Sequence, residues 1–180
     1  MIRAVLLLGA AVYAWSAEPV VVEFENAVPL LADGNGNRLP RWEAKGAVFT
    51  LAREPQQTKG KGMLMFFTHL STGHKGIACA MATEPIPVRA TFPRPVSSVT
   101  VSFWGSTGMP AQLEAFDADG KPVDRANLES VPGRKGPGDP MPIFTMTVKG
   151  RIAYIQFSGP REGEFLAADK VSFTPIDVDR

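Results

Sequence analysis

The chain has 180 residues, 44% of them hydrophobic, with 19 Lys or Arg against 18 Asp or Glu. A chain of this length buries roughly 70% of its unfolded surface, so a core forms without a metal or a disulfide, and the single Cys79 excludes an intramolecular bridge. The formal charge of +1 falls to 0 when Arg3 leaves with a leader. That excludes the basic surplus on which nucleic-acid and acidic-membrane binding rest.

Arg3 precedes an apolar stretch, Ala4 to Tyr13, and then the small residues Ala14, Ser16 and Ala17. This order marks a secretory leader cleaved after Ser16 or Ala17. The uncharged run is shorter than the ~20 residues of a spanning helix. The expectation is a signal peptide over 1–17 and one β-domain over 18–180, secreted or periplasmic, with no membrane insertion after cleavage.

From Glu18 onward the apolar positions alternate. Val20 to Asn26 places Val22 and Phe24 on a buried face and Glu23 and Glu25 on a wet one. Asp33 to Asn37 is a loop, Val48 to Leu51 a short strand, and the polar run 52–62 an exposed connection. Met63 to Phe67 is a buried strand, a loop with His69 and His74 follows, and Ile77 to Met81 is a further strand. Pro87 to Phe92 and Ser98 to Trp104 both alternate, separated by a turn at Pro93-Arg-Pro95. Gln112 to Phe116 enters a hairpin through Asp117-Ala-Asp-Gly120 and returns at Lys121 to Val123. Four prolines and three glycines make 132–142 an exposed loop. Phe144 to Val148 turns at Lys149-Gly-Arg151 into Ile152 to Phe157, which with Phe165 to Phe173 forms a terminal strand pair around the turn 158–164. No window beyond the leader holds a helical period. These short strands with Gly and Pro punctuation specify an all-β, antiparallel two-sheet sandwich.

The stretches VRATFPRPVSSVTVSFWG, LEAFDADGKPV, FTMTVKGRIAYIQFSGP and FLAADKVSFTP, spanning about half the chain, resemble the galactose-binding-like jelly rolls of secreted bacterial proteins, a superfamily that includes carbohydrate-binding modules. The resemblance implies a jelly-roll sandwich, a glycan or cell-envelope component as partner, and a structural calcium between the first and last strands. Glu23, Glu25 and Asp169 are the calcium candidates, although Lys170 stands where look-alike sequences often carry a second acid. Fold analogy alone does not establish sugar binding.

No catalytic residues emerge. Trp104-Gly-Ser-Thr-Gly108 lacks the first glycine of a nucleophile elbow, and Asp117 to Gly120 lacks the remaining ligands of an EF-hand. For binding, a sugar ring stacks its apolar face on an aromatic ring and bonds its hydroxyls to polar groups. Trp42, Trp104 and Tyr154 are the aromatic candidates, and Asp117, Asp119 and His69 the polar ones, since they fall in loops. Trp104 and Tyr154 lie opposite inward Val101 and Ile155, so each is either exposed or covered by a loop. The expected function is non-catalytic carbohydrate binding. A structural or adhesive envelope domain that binds protein, and a glycan-active hydrolase, are the alternatives.

Overall fold

The computed structural model describes residues 17–27, 38–53, 64–69, 72–79, 86–136, 139–158 and 166–176. The leader up to Ser16, the 33–37 loop, most of 52–62 and the 159–165 turn lie outside the described residues. Among the described residues eleven strands form: β1 (Val20–Glu23), β2 (Arg38–Leu39), β3 (Arg41–Ala44), β4 (Ala47–Leu51), β5 (Leu64–Thr68), β6 (Lys75–Cys79), β7 (Val88–Gly105), β8 (Ala111–Phe116), β9 (Pro122–Leu128), β10 (Phe144–Ser158) and β11 (Leu166–Pro175). Every pairing is antiparallel.

The two layers of the sandwich share their longest strands. In one layer, β10 from Tyr154 onward pairs with β8, which pairs with β9; its other edge pairs with the first residues of β7, followed by β4 and β3. In the other, the first half of β10 pairs with the second half of β7, then β11, whose far edge is shared by β1 and β6, and β5 and β2 follow. Aromatic rings join the layers: Phe24 meets Phe49 at 5.4 Å and Phe66 at 6.2 Å, Trp42 meets Phe66 at 5.5 Å, and Phe103 meets Phe157 at 5.2 Å between centroids.

The turns expected at Pro93-Arg-Pro95 and Lys149-Gly-Arg151 are instead bends inside continuous strands. Pairing passes from Val96↔Ile152 to Thr91↔Tyr154, so 92–95 lie opposite Ala153 alone. Pro93 and Pro95 have no N–H to give a ladder, yet the strand does not reverse, because β10 partners both its halves. Bulges of this kind let a strand cross from one sheet to the other. Buried positions accordingly run 88, 90, 92, 96 and then 99, 101, 103; the slip in phase makes one strand read as two.

The terminal strands are likewise not paired with each other: β7 lies between β10 and β11. A further hairpin, β3–β4, was not expected, since Pro40 and the polar residues 41 and 43 obscure its alternation. It closes through Lys45 (φ 48°) and Gly46 (φ 79°), the left-handed pair that a two-residue hairpin turn requires.

Gly150, at the bend of β10, has φ 129°, and a Cβ there would run into Val123 Cγ1. Gly150→Ala is expected to destabilise the fold by about 1–3 kcal/mol, read as a lower denaturant midpoint; an unchanged midpoint would show that the bend relaxes freely.

Candidate functional site

Alternation along the first layer buries Ala111, Leu113, Ala115, Ile155, Phe157, Val88 and Ala90, which turns their neighbours outward. Gln112, Glu114 and Phe116 of β8 thus stand beside Ser158, Gln156 and Tyr154 of β10, in register, with Arg89 and Thr91 of β7 on the other side. Phe116 and Gln112 are about 13 Å apart along the strand.

Three planar groups stand side by side at one end of this face. Phe116 and Tyr154 are stacked at 4.9 Å and 11°, and the Arg89 guanidinium lies 4.5 Å from the Tyr154 centroid, within cation–π range. With its amide carbonyl turned to Arg89, Gln156 accepts from Nη2 at 2.9 Å and Nε at 3.3 Å. At the other end Pro110, Ala111, Gln112, Asn127, Leu128, Glu129 and Ser158 line a shallow cleft of about 250 Å³. Two ion pairs lie along the layer, Glu114 with Arg125 and Glu43 with Arg41.

Three of the six expected binding residues converge here. Tyr154 is at the centre. Asp117 closes the β8–β9 turn by accepting from the N–H of Asp119 at 3.0 Å and of Lys121 at 2.8 Å, and Asp119 is exposed on that turn. The Tyr154 hydroxyl reaches under the turn at Gly120. Sequence reading passed over Arg89, Phe116, Gln156 and Gln112. Their signal was present, since each alternates with a buried neighbour, but the partner strands that align them are not visible in one dimension.

The other three lie elsewhere. Trp42 packs between the layers against Phe24, Phe49 and Phe66. Trp104 is 4% exposed and His69 1%, with the imidazole edge-on to the indole at 5.0 Å. Thr72 N–H donates to His69 Nδ1 at 3.2 Å, so the proton sits on Nε2, which donates to the Met141 carbonyl at 2.9 Å. The Pro-rich loop expected to be wholly exposed therefore folds Met141 back onto the Trp104 cluster. Trp104 is thus enclosed, and Trp42, half-buried, has its ring turned into the aromatic cluster.

A second cluster forms where β1 and β6 meet along one edge of β11. Lys170 pairs with Glu23 of β1 and Ala168 with Ile77 of β6, while the register with β7 skips Asp169. That bulge redirects the Asp169 side chain. Glu25, just past β1, and His74, just before β6, join it, with their ligand atoms all within 4.8 Å of one another. Burial raises the Asp169 carboxyl above its ordinary range and Glu25 adds to this, while His74 and Lys170 oppose it.

Of the calcium candidates, Glu25 and Asp169 come together, but Glu23 is bound to Lys170 at 3.1 Å. Calcium takes six to eight oxygens. The side chains that converge offer two carboxylates and an imidazole in place of a third acid, and the nearby carbonyls of Glu25 and Ala27 each accept from Lys75 Nζ at 3.1 Å. The cluster does not fit calcium.

No family model matches the sequence, and no curated protein is similar to it. Among solved structures, the chain is similar to a CBM61 module in complex with β-1,4-galactotriose (12% identity, 77% of this chain and 98% of that one, TM-score 0.40). It is similar to a CBM6 module of Clostridium stercorarium in complex with cellobiose (15%, 71% and 93%, 0.38). It is also similar to the Agl-KA catalytic domain (13%, 83% of this chain but 30% of that one, 0.45). Among the described residues, no helix is long and apolar enough to cross a membrane.

Proposed function

We propose that the chain is an exported, non-catalytic module that binds a neutral, hydroxyl-rich glycan, free or part of a cell envelope, on the outer face of the first layer. The observation that carries this reading is the composition of that face. Both carboxylates on it, Glu43 and Glu114, are bound to arginines, and Arg89 is held by the Tyr154 ring and the Gln156 amide, which leaves amides and hydroxyls on Gln112, Gln156, Ser158, Asn127 and Thr91 around the stacked rings. Such a surface bonds sugar hydroxyls and sets the edges of the stacked rings against apolar C–H groups without demanding charge on the ligand. Rigid strands hold these groups, so little ordering cost attends binding.

A hydrolase needs two convergent carboxylates, and Glu114, at the middle of the face, is bound to Arg125. A protein-binding envelope domain needs an apolar patch; among the described residues the exposed large hydrophobics are Val123 and Ile143, at 37% and 40%. Titration calorimetry of the mature chain against soluble xylan, β-1,4-galactan and cello-oligosaccharides tests the proposal. Saturable heat with at least one is expected. Silence across the panel from folded protein rejects these glycans and moves the assignment to a protein partner.

A further inference from the structure

We propose that Glu25, His74 and Asp169 bind a divalent transition ion of the zinc class, with His74 supplying a nitrogen ligand. The three residues come from distant parts of the sequence and are brought together by topology: β1 and β6 share one edge of β11, and Asp169 occupies the bulge at their junction.

The burial of one carboxylate oxygen and its distance from the nearest imidazole nitrogen point to a ligand. Asp169 is 7% exposed, and its Oδ1 is buried with no hydrogen-bond partner, a costly state for a carboxylate oxygen that a bound cation relieves. His74 Nδ1 lies 3.4 Å from that oxygen, long for a charge-assisted bond. With Zn–N and Zn–O bonds of about 2.0–2.2 Å, the edge of a tetrahedral site is about 3.4 Å. The exposed Glu25 and His74 leave the fourth position open to water, so an ion has a route in.

Selectivity follows from the donors. An imidazole with two carboxylates suits zinc, copper or nickel better than calcium or magnesium. The lysines that face the cluster are engaged: Lys75 Nζ is bound to the carbonyls of Glu25 and Ala27 and Lys170 to Glu23.

The test is titration of chelator-stripped full chain with Co²⁺, followed by its absorption bands, and with Zn²⁺ and Ca²⁺ by calorimetry. One equivalent of Co²⁺ or Zn²⁺ is expected, with no saturable Ca²⁺ binding under the same conditions. His74→Ala and Asp169→Asn should each weaken binding at least about ten-fold, with circular dichroism verifying that both variants fold. His74 is exposed, so its substitution does not threaten the core. Absence of Co²⁺ bands in the folded wild-type protein, or binding that survives His74→Ala because it sits at His69 or Cys79, overturns the proposal. Ca²⁺ binding tighter than Zn²⁺ does the same.

Discussion

Phe24→Ala is expected to cost about 3–5 kcal/mol of stability, a large part of the ~5–15 kcal/mol that holds a domain of this kind folded. Phe24 is fully buried just beyond β1, and its ring touches Trp42, Phe49 and Phe66 at centroid distances of 5.0, 5.4 and 6.2 Å. Those partners belong to β3 and β4 in one layer and β5 in the other, so truncation opens a cavity at the seam between layers. None of the three remaining rings can move into it without abandoning another contact. Urea unfolding should show a lowered midpoint with little change in slope. A loss below about 1 kcal/mol would mean that the seam collapses around the gap and is not close-packed.

The second large effect is on binding. Tyr154→Ala should weaken affinity for the responsive glycan at least about ten-fold, a loss of about 1.4 kcal/mol, because it removes the central plate between Phe116 and Arg89. The guanidinium then loses its cation–π contact and the orientation that presents it to a ligand. Trp104→Ala is the informative contrast. Its ring is enclosed by Ala78, Ala167, Phe67 and Met141 and by His69, so the substitution should lower stability while the folded protein retains its affinity. The reverse pattern, with Trp104 controlling affinity and Tyr154 neutral, would place the ligand in the groove of about 440 Å³ beside Thr72 and 139–143.

Much of the fold was legible because alternation is a local signal. Val22 and Phe24, Val99 to Phe103 and Ile152 to Phe157 each announce a buried face in a few residues, and the Asp-Gly turn announces its hairpin. What stayed hidden depends on partners. Pro93, Pro95 and Gly150 carry the same propensities in a turn as in a bend, and only the presence of one long neighbour decides that β7 and β10 continue. For the same reason the last two strands, adjacent in sequence, are separated by β7.

The candidate sites divide similarly. Tyr154, Asp117 and Asp119 could be placed on one hairpin turn and its neighbouring strand because those are local features. Arg89 and Gln156 required knowledge of which strands flank Tyr154. Glu25 and Asp169 were legible as a pair once first and last strands were taken as neighbours. His74 was not, since its place beside them depends on β6 sharing the edge of β11 with β1. Trp104 pointed away from Val101 as alternation required; what covers it is a loop 37 residues downstream, at Met141.

The most direct measurement of the central claim is a map of amide chemical-shift changes, by two-dimensional NMR of labelled mature protein, as a responsive oligosaccharide is added. Glycan binding on the outer face of the first layer predicts changes concentrated at Gln112, Glu114, Phe116, Arg89, Tyr154 and Gln156, extending to the turn at Asp117–Asp119. Changes confined to the loops at 72–74 and 139–143, with this face silent at saturation, would contradict it.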